Sequence, residues 1–229
     1  MCTSIISNRN KLIVGWNLDV LNFHYKVIEE QDRVYIAVYD PEVGYLPLFG
    51  ANKYGDFITM PTCWPYDARS DALDDSDNII RINNDLLFHR KSLEEIKNYV
   101  SKHDISSIPG VTFQAQLIDA KGSVLQIVPG QGYRYIPHPK YAVMTNFSPI
   151  KGIMAYHPWM GLDRYEIALS RLKNAQDDFD IKDCFEILEE VSQTDCPTVV
   201  SMVFDVDERI VYWCENRDFR HIHQYSLRN

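Results

Sequence analysis

Short runs rich in β-branched and aromatic residues, separated by polar breaks carrying Gly or Asn, dominate the chain and read as strands. Thr3 to Ser7, Leu12 to Trp16, Val34 to Tyr39 and Phe57 to Thr59 fit this pattern, so the first quarter is predicted to be mostly sheet. Two longer stretches read as hairpins. FQAQLIDAKGSVLQIVP, from Phe113 to Pro129, turns at Asp119-Ala120-Lys121-Gly122, with Gly where a positive φ is needed. TVVSMVFDVDERIVYWCEN, from Thr198 to Asn216, turns at Asp205 to Glu208. The unbroken apolar run from Val199 to Phe204 predicts a strand covered on both faces.

Helical periodicity is confined to three stretches. Ser92 opens the first with a Ser-x-x-Glu capping box to Glu95, followed by Leu93, Ile96, Tyr99 and Val100 on one face as far as Lys102. Asp163 to Asn174 presents Tyr165, Ile167, Ala168 and Leu172. Ile181 to Val191 follows an Asp180 cap and turns Phe185, Ile187, Leu188 and Val191 inward. Batches of strands and helices without a βαβ rhythm predict an α+β fold with stacked, mostly antiparallel sheets. Met60 to Asp85, rich in Pro, Asp and Asn, reads as one long loop. Its acidic run (Asp71, Asp74, Asp75, Asp77) lacks the spacing, central Gly and terminal Glu of a calcium loop.

Composition narrows the function classes. A chain of 229 residues, 45% hydrophobic and 24% charged, is predicted to form one domain over 1–229. A net charge of −9 with scattered Lys and Arg argues against a nucleic-acid or anionic-membrane surface. No window approaches the roughly 20 apolar residues of a membrane span, and the expected compartment is the cytoplasm. Small molecules and further copies of the chain, as a homo-oligomer, are the expected partners. Five cysteines, at 2, 63, 184, 196 and 214, form no CxxC pair and are odd in number, which argues against a disulfide framework. Cys184, Cys196 and Cys214 read as small buried hydrophobes. His221 and His223 share a strand face without a third ligand at matching spacing, and neither a metal nor another cofactor is expected.

Cys2 changes the picture. Removal of Met1 leaves one residue carrying both a thiol and an α-amine, and an amine titrating near ~8 can take the thiol's proton. Such a nucleophile needs a carboxylate or donor to orient the amine, donors for an oxyanion and a cation to favour thiolate. Asp19 follows the strand after the one bearing Cys2, so a hairpin brings the two together. Asn146 ends the apolar stretch Tyr141 to Phe147, where its amide can point at a developing oxyanion. Trp64, Tyr66, Tyr156, His157 and Trp159 are candidates for an apolar acyl pocket.

MCTSI at the start, GWNLD at 15–19, GANKYGDF at 50–57, LIDAKGSVLQIVPG at 117–130, MTNF at 144–147 and DRYEIALSRL at 163–172 occur in the order found in the cholylglycine hydrolase and penicillin V acylase family. The resemblance covers nearly the whole chain and extends to acid ceramidase and the 6-aminopenicillanic acid acyltransferase group. It implies an N-terminal nucleophile hydrolase: a four-layer αββα sandwich that hydrolyses a linear amide through an acyl-enzyme on Cys2. It further implies Asp19 as the carboxylate near amine and thiol, Asn146 at the oxyanion site, and Arg164 as the cation. The second oxyanion position falls at Thr62 or Cys63, and Trp64 belongs to the substrate-binding set.

One position departs from the family. Its G-R-N-x-D pattern has an arginine beside the nucleophile where this chain has Trp16, a substrate-side candidate here. An indole offers one neutral donor in place of a fixed cation, which removes support for a thiolate. Three functions remain open on the sequence: amide hydrolysis, acyl transfer from the same nucleophile, and a non-catalytic binding module.

Overall fold

The computed structural model describes residues 1–41, 44–73 and 75–228, and opens on two strands, β1 (Cys2–Asn8) and β2 (Leu12–Asp19). Both faces of β2 are buried, and its alternate residues enter different cores: Leu12, Val14, Trp16 and Leu18 join one apolar cluster, Ile13 another. Such a strand needs a covering layer on each side.

The remaining strands are β3 (Tyr25–Glu30), β4 (Arg33–Asp40), β5 (Gly44–Asn52), β6 (Phe57–Thr59), β7 (Ala115–Ile118), β8 (Val124–Val128), β9 (Gly132–Ile136), β10 (Tyr141–Met144), β11 (Thr198–Asp205), β12 (Ile210–Glu215) and β13 (His223–Ser226). They form a six-stranded sheet in the order β10-β1-β2-β11-β12-β13 and a seven-stranded sheet running β3 to β9 in sequence order. The strand pairs are antiparallel throughout. Helices α1 (Ile79–Leu87) and α2 (Leu93–Val100) cover the seven-stranded sheet; α3 (Leu162–Asn174) and α4 (Ile181–Glu190) cover the other. The order helix, sheet, sheet, helix is the four-layer αββα sandwich that the family resemblance implied.

Gly15 shows how tightly α4 lies on the first sheet. A Cβ there would run into the Cys184 sulfur and come within 3.1 Å of Ile5, so β2 admits the helix only with glycine at this point. Asn17, two residues on, donates from Nδ2 to the Leu188 carbonyl of α4 at 2.8 Å and accepts from Ser201 Oγ at 2.7 Å. The asparagine of GWNLD therefore anchors a helix end.

Both predicted hairpins are present. Gly122 has φ +80°, and Asp119 Oδ1 accepts from the Lys121 and Ser123 backbone nitrogens at 3.0 and 2.8 Å, closing the β7–β8 turn. The predicted loop over 60–85 is too long: its last part is α1, which starts at Ile79 behind an Asn78 cap whose Oδ1 accepts from Ile80 N at 2.9 Å. Asn83, Asn84 and Asp85 lower the apolar content of that helix, while Ile79, Ile82 and Leu86 still bury one face. From 60 to 78 the chain is tied down by isolated bridges such as Thr62 to Phe113 and Trp64 to Phe147. Asp74 of the acidic run lies outside the described residues. Strands β3, β5 and β9 were not predicted, and β13 begins only at His223, so His221 falls outside the strand on which the sequence placed both histidines. β5 carries Gly44, Pro47 and Gly50, and β9 and β13 are sheet edges with exposed residues.

Candidate active site

The β1–β2 hairpin pairs Cys2 with Leu18, and its last rung joins Met1 to Asp19: the Asp19 N–H donates to Met1 O at 2.9 Å and the terminal amine donates to Asp19 O at 2.5 Å. The chain start is thus held at the end of the sheet beside Asp19. Removing Met1 leaves the new amine at the nitrogen of Cys2, which donates to Asn146 Oδ1 at 3.0 Å.

Asn146 follows β10, the strand on the other side of β1, and is fully buried. Its side chain is fixed at both ends. Oδ1 also accepts from Arg164 Nη2 at 2.8 Å, and because a guanidinium only donates, the amide oxygen must face that way. Nδ2 then donates to Thr62 O at 2.8 Å and to Thr62 Oγ1 at 2.9 Å. Both amide hydrogens are occupied, so an oxyanion reaches Nδ2 only by displacing Thr62.

Arg164 lies in the first turn of α3 and is 3% exposed. It donates to Cys2 O at 2.7 Å and Thr3 Oγ1 at 2.8 Å, and its Nη1 is 3.5 Å from Asp19 Oδ2. The residue before this helix, Gly161, has φ +70°, and a Cβ there would overlap the guanidinium. Glycine is required twice at that position, for the turn and for the space.

Asp19 is fully buried. Its oxygens accept from Thr198 Oγ1 at 2.6 Å and from Gln193 Nε2, besides facing Arg164. Burial pushes its carboxyl above the usual range, opposed by Arg164 and the terminal ammonium. With Met1 in place, burial also pushes the Cys2 thiol up to about 11, against the pull of the ammonium. The sequence reading missed Thr198 and Gln193, which no local motif marks.

Cys2 and Asp19 line a cavity of about 440 Å³ whose walls include Leu18, Val38, Leu48, Phe49, Met60, Phe113 and Trp159. Thr62 and Trp64 line it too. Of the other predicted substrate-side residues, Trp16 and Cys63 are fully buried and are not among the lining residues. Trp16 stacks behind Phe49, with ring centroids 3.6 Å apart. Burial raises the Cys63 thiol to about 12. Tyr66 stacks on Trp64 and also lines the cavity, whereas Tyr156 and His157 line a neighbouring one of about 390 Å³ on the far side of Trp64. Cys196, read from sequence as a buried hydrophobe, lines the Cys2 cavity beside the terminal amine. Among the described residues, no group of three His, Cys, Asp or Glu side chains is arranged to hold a metal.

Comparison with solved structures follows the same topology. The C2A mutant of the conjugated bile acid hydrolase from Clostridium perfringens superposes with a TM-score of 0.69 at 14% identity, covering 99% of this chain and 92% of that one. The fold is that of the N-terminal nucleophile hydrolases. A Caenorhabditis elegans ortholog of N-acylethanolamine-hydrolyzing acid amidase shares this N-terminal nucleophile fold with a TM-score of 0.61 at 19% identity, covering 90% of this chain and 93% of that chain. Penicillin V acylase from Agrobacterium tumefaciens gives 0.63 at 13% identity, covering 94% of this chain and 83% of that one. The sequence matches no family model and no curated protein. Among the described residues, no helix is long and apolar enough to cross a membrane.

Proposed function

We propose that this chain, once Met1 is removed, hydrolyses a linear amide with an apolar acyl group through an acyl-enzyme on Cys2. The observation that carries this reading is the 3.0 Å hydrogen bond from the Cys2 nitrogen to Asn146 Oδ1, at a residue that lines a mostly apolar cavity. The nitrogen that would become the chain terminus already donates to an oxygen that Arg164 holds in place.

In this mechanism the α-amine of Cys2, held by Asn146, takes the thiol proton, and the sulfur attacks the amide carbonyl. The protonated amine then gives that proton to the leaving nitrogen. Water enters, the amine again serves as base, and the C–S bond breaks to release the acid. Asp19 and Arg164 are positioning groups: Asp19 sets the charge beside the amine, and Arg164 holds Asn146 and the Cys2 carbonyl. Asn146 Nδ2 contributes to the oxyanion by exchanging the Thr62 hydroxyl for it.

The test combines intact mass with a panel of N-acyl amides. The expected result is a chain lacking Met1 that turns over at least one substrate and loses that activity in C2A. A mature chain that retains Met1, or undiminished turnover by C2A, overturns the mechanism.

A second reading, a binding module with an idle site, draws on Trp16. Its indole Nε1 is buried without a hydrogen-bond partner among the described residues and supplies no charge to a thiolate. Alkylation of Cys2 in the mature chain separates the two: a thiol reacting as though its pKa lay well below about 8.5 supports the enzyme. The acyltransferase reading shares the acyl-enzyme, and an added amine acceptor that diverts product away from the free acid would favour it.

A further inference from the structure

We infer that Phe49 and Trp16 form a rigid two-ring floor that sets the length of acyl chain the Cys2 cavity accepts, with Trp16 acting through Phe49. This rests on the amide-hydrolase reading and adds to it a specificity device and a substrate class: amides of straight alkyl acids up to a sharp length limit.

The cavity is divided chemically. Cys2, Asp19 and Thr62, grouped at the chain terminus, give the cavity polar lining, as do Tyr66 and Asp195, whereas Val38, Leu48, Phe49 and Met60 are apolar. A scissile amide therefore belongs at the Cys2 end, with its chain running toward Phe49. Phe49 is 1% exposed and Trp16 is fully buried, with their rings inclined by 21° at 3.6 Å. On its own sheet Trp16 is flanked by Ser4 of β1 and Met202 of β11. On that side the Phe49 ring rests on the buried indole, and a close-packed interior yields little. Among the described residues the indole N–H has no partner, so shape rather than hydrogen bonding accounts for tryptophan here.

The mature chain is titrated by calorimetry with straight-chain fatty acids from hexanoic to hexadecanoic, and Cys2 is labelled in parallel with N-alkyl iodoacetamides of matching length. Affinity is expected to rise roughly fourfold per buried methylene and then to stop at one length. F49A, or F49L if F49A fails to fold, is expected to move that limit to longer chains. W16F, which keeps a ring but vacates part of the indole's volume, should move it less. A limit unchanged in the Phe49 variant, the absence of any limit, or no fatty-acid binding at any length overturns the inference. If fatty acids bind but no iodoacetamide labels Cys2, the nucleophile reading falls, and the calorimetric limit still decides the floor.

Discussion

The nitrogen of Cys2 and Oδ1 of Asn146, 144 positions apart in sequence, lie 3.0 Å apart, and Arg164 donates to the same oxygen at 2.8 Å. One buried amide oxygen thereby orients both the prospective base and the cation that braces it.

Replacing Asn146 removes that orientation while leaving the thiol. N146A is expected to lower kcat by about 100-fold, the scale of a displacement of about 1 Å at a reacting group. Intact mass should still show loss of Met1. Activity within a few-fold of the parent would mean that the amine does not depend on Asn146.

Retention of Met1 offers a pH test. With Met1 in place the Cys2 thiol is pushed up to about 11, from an ordinary 9.0. A chain held in that form by expression without methionine aminopeptidase should show no turnover, and its alkylation by iodoacetamide should climb steadily with pH toward about 11. The sign for stability follows from the same shift. The unfolded thiol ionises first, so this contribution is complete below about pH 9 and is lost as pH rises to about 11, an effect of roughly 2 to 3 kcal/mol. The C2A variant prepared with Met1 retained in the same way, compared by urea unfolding across that interval, should lack this part of the loss.

Gly161 tests how Arg164 is seated. G161A is expected to cost about 1 to 2 kcal/mol for the left-handed backbone alone. It should also reduce activity, because the added methyl meets the guanidinium. Thermal unfolding and turnover measured together check both. A stable, fully active G161A would show that Arg164 can move without consequence.

The α+β class, the two hairpins and the three helices starting near 92, 162 and 181 were legible in the sequence because each depends on local periodicity, caps and turn residues. Helix α1 was not, since Asn83, Asn84 and Asp85 blur its pattern while the buried positions Ile79, Ile82 and Leu86 still suffice to dock it. The constellation Cys2, Asp19, Asn146 and Arg164 was legible only through order and resemblance. Its clamp was not, because Gln193 and Thr198 meet Asp19 through the β2–β11 pairing and the chain just before β11.

The sequence by itself determined the two hairpins, the helices α2, α3 and α4 and the place of a cysteine directly after Met1, since these rest on neighbouring residues. Only the tertiary structure decided what surrounds that cysteine. Strand order brings Asn146 and Asp19 to either side of the chain start, and sheet-on-sheet packing turns Trp16 away from the cavity wall and behind Phe49. Partner choice across a sheet and between sheets is made by packing over long sequence separations, and no local spacing encodes it.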